Sequence, residues 1–144
     1  MDCVFCESRE VQDRIIFEND LVSAFPSNAP ITKGHVLIVA KRHVARIEEL
    51  SQKERDAVFN LAEKLKKAIK ESLGAEGFNN AWNDGEIAGQ SIPHFHLHIV
   101  PRISGDEGIT EYEPRKFLYR PGSRARSAQE ELKQIAARIR SAFY

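Results

Sequence analysis

The spacing of apolar and polar positions divides the chain into short strand-like runs and two longer helical ones. Asp13–Phe17 and Leu21–Phe25 read as short strands, with the Glu18-Asn19-Asp20 cluster between them as a turn. Pro26–Gly34 reads as a loop. His35–Ala40 (HVLIVA) is a near-continuous apolar run and predicts a buried strand. Ser51-Gln52-Lys53-Glu54 is a capping box. Beyond it, Ala57, Val58, Leu61, Leu65, Ala68, Ile69 and Leu73 recur every three or four residues. That period predicts a helix with one buried stripe, closed by Gly74. Phe78–Asn83 reads as a strand, Asp84-Gly85 as a turn and His94–Pro101 as a further strand, while residues 102–122 look irregular. A second capping box, Ser127-Ala128-Gln129-Glu130, opens a helix through about Ala142. The order predicts an α+β fold: a mostly antiparallel sheet, one long helix against it and a C-terminal helix, within one domain over 1–144.

Composition adds mainly exclusions. The chain has 144 residues, enough for one buried core, and is 42% hydrophobic and 29% charged. Lys plus Arg and Asp plus Glu are 21 each, so the formal net charge is zero. Bulk electrostatics gives no reason to expect a nucleic-acid or membrane binder, and any anionic ligand must be held by a local site. The start, Met1-Asp2-Cys3-Val4-Phe5-Cys6-Glu7, lacks the basic and apolar regions of a secretory signal. No stretch approaches the ~20 apolar residues of a membrane span, so the expected compartment is the cytoplasm. The only cysteines, Cys3 and Cys6, are not a disulfide framework. Their CxxC spacing is half of a zinc site, with ordinary surface thiols as the alternative.

The candidate chemistry lies in His94-Phe95-His96-Leu97-His98. On a strand, residues at spacing two share a face, so three imidazoles would stand ~7 Å apart on one side. Phe95, Leu97 and Ile99 would face the core. Imidazole, with an ordinary pKa near ~6.5, is a nucleophile when neutral and a donor when charged. A row of them can attack a phosphorus, hold its oxygens and protonate a leaving group. The preceding loop suits an anion. Gly85 and Gly89 allow close backbone approach, and Asn83, Gln90 and Ser91 offer neutral donors, although turn chemistry alone also explains such residues.

Gly89-Gln90-Ser91-Ile92-Pro93-His94-Phe95-His96-Leu97-His98-Ile99-Val100-Pro101-Arg102 closely resembles the defining motif of the histidine triad (HIT) superfamily. Upstream, Cys3-Val4-Phe5-Cys6, Ala24-Phe25, Gly34-His35-Val36-Leu37-Ile38-Val39 and Lys41-Arg42-His43 extend the resemblance in order. It implies nucleotidyl transfer at an α-phosphate of a dinucleoside polyphosphate or nucleoside phosphoramidate. His96 would be the nucleophile and His98 a phosphate ligand. Gln90 and Ser91 would hold phosphate oxygens, with Ser91 near the leaving group. Asn83 and Gly89 would approach the phosphate, and His35 would steady the histidine row. Phe5 and Phe25 match positions that line a base pocket, with plain core aromatics as the alternative. The position that usually carries an acidic or amide ribose ligand is here Ser27, beside Asn28. The resemblance further implies a structural zinc held by Cys3, Cys6, His43 and His94, a homodimer, and a more variable tail over 103–144.

Two other readings stand beside the hydrolase. Ser27 favours a nucleotide-binding or scaffold protein with little catalysis. A DNA-repair role of the aprataxin kind would require a C-terminal zinc finger, and no Cys or His follows His98. Nucleic acid is therefore not the expected partner. The basic run Arg115–Arg126 reads either as a solvated loop or as extra grip on a polyphosphate.

Overall fold

A computed structural model describes residues 3–108 and 125–143. The strands are β1 (Phe17–Glu18), β2 (Val22–Pro26), β3 (Val36–Ala40), β4 (Gly77–Ala81) and β5 (His96–Arg102). They form one antiparallel sheet in the order β1-β2-β3-β5-β4. The helices are α1 (Val4–Glu7), α2 (Arg9–Gln12), α3 (Gln52–Leu73) and α4 (Gln129–Phe143).

Alternation along the strands sorts the side chains onto two faces. Ala24, Val36, Ile38, Leu97 and Ile99 pack with Leu61, Leu65 and Ile69 of α3 and with Ile135 and Ile139 of α4. Each Leu or Ile fully buried there contributes about 1.5–3 kcal/mol. Phe25, Leu37 and Val39 point the other way and are covered by Cys3, Phe5 and Val11 of the N-terminal segment. His96 and His98 share this second face, opposite Val39 and Leu37 of β3.

The long helix begins and ends where the sequence places it. The Ser51 hydroxyl accepts from the Glu54 amide, Glu54 reaches back to the Ser51 amide, and Gly74 closes the helix at φ 73°. Glu54 also accepts two bonds from Arg42, which holds its carboxyl well down, at about 2. A depressed carboxyl stabilises the fold above its unfolded value and loses that contribution as pH falls. The stability gap between the wild type and Glu54→Gln should therefore narrow from about pH 4.5 down to about 2. Urea midpoints across that window would show it, and a constant gap would rule it out.

Most strand ends differ from the sequence reading by a residue or two, and four differences bear on the site or the core. Residues 13–16 are not a strand. Arg14 and Ile15 donate their amides back to Val11 and Gln12, closing a helical turn capped by Ser8, and β1 pairing starts only with the Ile16 amide on Ala24. β4 stops at Ala81, which leaves Asn83 in the loop. β5 starts at His96, so His94 is outside the strand. α4 starts at Gln129, one residue later than the Ser127 box implies. There the Gln129 side chain donates to Glu10 O and accepts from Arg14.

Gly34 sets the entry to β3. Its φ is 90°, and a Cβ there would overlap Leu73 Cδ1 at the end of α3. Gly34→Ala should destabilise the fold by about 1–3 kcal/mol in chemical denaturation. An unchanged midpoint would refute it. No helix among the described residues is long and apolar enough to cross a membrane.

Candidate active site

The three motif histidines sit within one buried patch but meet three different environments. His94 turns Nε2 onto the Ala40 carbonyl at 2.6 Å and Nδ1 toward Cys3 and Cys6, at 3.4 and 3.5 Å. A carbonyl only accepts, so His94 carries its proton on Nε2 and aims the Nδ1 lone pair at the thiols. His96 does the reverse. Its Nδ1 donates to the His94 carbonyl at 2.8 Å, which leaves the lone pair on Nε2. His98 is set by His35. The Ile31 amide donates to His35 Nδ1, so His35 Nε2–H donates to His98 Nδ1 at 3.0 Å and the His98 proton sits on Nε2.

Burial pushes His96 below its ordinary imidazole value, opposed by its bond to the His94 carbonyl. Burial likewise lowers His94. A neutral His96 with its lone pair on Nε2 is the state a nucleophile requires. The Phe5 ring lies 5.1 Å from the His96 ring and 5.5 Å from the Phe25 ring, centroid to centroid. Phe5 thus borders His96, whereas Phe25 is sealed in the second cluster.

Cys3, Cys6, His43 and His94 bring four ligand atoms within 4.8 Å of one another. The Cys3–His94, Cys6–His43 and Cys6–His94 sulfur–nitrogen separations are 3.4–3.5 Å. A tetrahedral ion with sulfur at ~2.3 Å and nitrogen at ~2.05 Å sets them about 3.5 Å apart. The donor set and spacing therefore fit a metal ion.

The loop between β4 and β5 is built around Gln90. Its Oε1 accepts from the Gly85 amide at 2.8 Å, and its Nε2 donates to the Ala45 carbonyl at 2.9 Å. Gly85 and Gly89 hold φ values of 93° and 105°. Ser91 is exposed, Gly89 is buried and Asn83 is half-buried at the mouth of the loop. Ser27 is buried next to His35, donates its amide to the His35 carbonyl and accepts the Ala29 amide on its hydroxyl. Asn28 is exposed, and its carbonyl accepts from Ser127.

Residues 8–105 match the HIT domain family. The chain belongs to the HIT family. The match includes all the histidines, Gln90 and Ser91, while Cys3, Phe5 and Cys6 lie just before it. The adenosine 5'-monophosphoramidase of Schizosaccharomyces pombe is 35% identical over 111 residues, spanning 76% of this chain and 80% of its own length. The bis(5'-adenosyl)-triphosphatase of Dictyostelium discoideum is 29% identical over 134 residues, spanning 92% and 87%. Among solved structures, a zinc-bound histidine triad family protein of Mycobacterium smegmatis aligns at TM-score 0.75 and 28% identity, covering 99% of this chain and 94% of that one.

Sequence reasoning about this HIT protein passed over Arg14 and Arg46. The Arg14 guanidinium is buried over the Phe25 ring, 5.8 Å from its centroid, and donates to Pro26 O. Nothing in the pattern around Arg14 distinguishes it from a solvated arginine. Arg46 lies against Gly85, far from it in sequence. Most of the basic run Arg115–Arg126 lies outside the described residues.

Proposed function

We propose that this HIT protein is a nucleotide hydrolase or nucleotidyl transferase acting at an α-phosphate through a nucleotidyl-His96 intermediate. The observation that carries this reading is the fixed tautomer of His96, whose Nδ1–H is held by the His94 carbonyl while Nε2 keeps its lone pair. In the first step Nε2 bonds to the α-phosphorus as the bond to the leaving group breaks, and that electron pair departs with the leaving group. In the second, water attacks phosphorus and the N–P electron pair returns to Nε2. His98 Nε2–H would donate to a non-bridging oxygen. Asn83, Gly89 and Ser91 would line the phosphate path, while Gln90 would shape the loop rather than reach the substrate through its carboxamide. Phe5 would border the base, and Ser27 and Asn28 would face the ribose.

Dinucleoside polyphosphates and nucleoside phosphoramidates are the substrate classes, in keeping with the names of the two relatives. Incubation with adenosine phosphoramidate and with diadenosine polyphosphates, beside His96→Ala, tests the reading. Nucleoside monophosphate released by the wild type only is the expected result. Equal inactivity of both proteins with retained nucleotide binding would favour the second reading, a nucleotide-binding scaffold. That reading draws on Ser27, whose hydroxyl is already taken by Ala29 and which brings no carboxylate to a ribose.

Zinc is the proposed occupant of Cys3, Cys6, His43 and His94, consistent with the donor set and the zinc-bound relative. It would tie the N-terminal segment to the sheet. A homodimer is proposed through β4, a sheet edge with one strand neighbour, and the adjacent α3, where Phe59 is 43% exposed beside Trp82. The proposed compartment is the cytoplasm, where the thiols stay reduced.

A further inference from the structure

Residues 43–46 run from the cysteine–histidine cluster along the site loop, and each meets a different part of the two. His43 Nδ1 lies 3.5 Å from Cys6 Sγ in the metal cluster. The Val44 carbonyl accepts from the Phe95 amide at 2.7 Å, next to His96. The Ala45 carbonyl accepts from Gln90. Arg46 then lays its guanidinium against Gly85, where a Cβ would come within 3.2 Å of Nη2. Arg46 and Gln90 thereby form two walls of a pocket of about 400 Å³, which Ser91 and Glu86 also line.

The guanidinium is only loosely engaged. Its nearest acidic oxygen is that of Glu48, at 3.9 Å, beyond hydrogen-bond range. The backbone of Arg46 is nevertheless held near the histidine row. Val44 is bonded beside His96, and two further residues of chain span at most ~7 Å. The pocket's other charged group, Glu86, is exposed like Arg46 and opposes its charge.

We infer that this pocket receives the leaving group, and that Arg46 selects a phosphoanhydride leaving group over an amine. The inference rests on the proposed nucleotidyl transfer from substrate to His96. When Nε2 bonds to the α-phosphorus of diadenosine triphosphate, the Pα–O bond breaks. The electron pair stays on the bridging oxygen, and ADP departs as an anion that needs no proton. A guanidinium beside Ser91 stabilises that charge as it develops. When the substrate is adenosine phosphoramidate, the leaving nitrogen takes a proton from water as the P–N bond breaks and departs as ammonia. A cation in the pocket gives it nothing.

The test is the ratio of kcat/KM for diadenosine triphosphate to kcat/KM for adenosine phosphoramidate. Arg46→Ala should lower that ratio about tenfold, equivalent to about 1.4 kcal/mol. Arg46→Lys should recover part of it, because a point charge replaces the bidentate fork. Glu86→Gln should raise it. Thermal melts confirm that each variant is folded. A ratio that stays within about twofold in folded Arg46→Ala, with both substrates turned over, overturns the inference and leaves the nucleotidyl-transfer reading standing. A wild type that turns over neither substrate overturns both.

Discussion

Replacing His96 with alanine is expected to cut kcat by roughly 10³-fold or more, the scale seen when an enzyme loses its nucleophile. The reasoning begins with one hydrogen bond. The His94 carbonyl accepts the Nδ1 proton of His96 at 2.8 Å, so the ring is held in one orientation and one tautomer. Burial lowers the pKa of that ring and so favours its neutral form. No neighbouring side chain repeats the arrangement. His94 directs its lone pair to the thiols, and His98 takes its Nδ1 bond from His35. Neither can stand in for the missing lone pair, so the variant should bind nucleotide and fail to transfer it. Single-turnover assays with adenosine phosphoramidate, together with a search for a phosphoramidate adduct on His96 by mass spectrometry, measure this. More than a tenth of wild-type kcat in the variant would end the nucleophile assignment.

Stripping metal from the Cys3, Cys6, His43 and His94 cluster, or replacing Cys3 with serine, is expected to cost about 4 kcal/mol or more. At this chain length that lowers Tm by about 10 °C or more. Two physical effects add. The ligands come from the N-terminal segment, the end of β3 and the site loop, so an ion there joins parts of the chain far apart in sequence. Cys3 is also buried with Phe5, Val11 and Phe25, and loosening α1 exposes that cluster to water. Hydrogen exchange should therefore rise first over residues 4–12, and activity should fall as Phe5 leaves His96. Metal analysis before and after chelation should find about one zinc per folded chain. A protein that melts at the same temperature with and without metal would exclude a structural role.

Much of this was legible in the sequence. Ser51, Glu54 and the stripe from Val58 to Ile69 identify α3 with its cap, because capping and a 3.6-residue period are local properties. Alternation in HFHLH correctly sends Phe95, Leu97 and Ile99 to the core and the imidazoles to the opposite side. The N-terminal strand was misplaced because Arg14 and Ile15 satisfy their amides in a turn, and an apolar pair cannot announce which partner its backbone will take. Gln90 reads in sequence as a phosphate donor. Only the fold shows that its carboxamide is occupied by Gly85 and Ala45.

The sequence by itself determined the α+β class and the two long helices, which rest on spacing, while His96 as nucleophile candidate and Cys3, Cys6, His43 and His94 as a ligand set rest on the resemblance of its motifs to the HIT family. Tertiary structure decided which partner each histidine meets. His94, His96 and His98 are chemically identical and evenly spaced. They differ because the Ala40 carbonyl holds the His94 proton on Nε2, the His94 carbonyl holds the His96 proton on Nδ1, and the His35 ring leaves the His98 proton on Nε2. Those partners come from distant strands or from the backbone, which carries no residue identity, and so only folding places them.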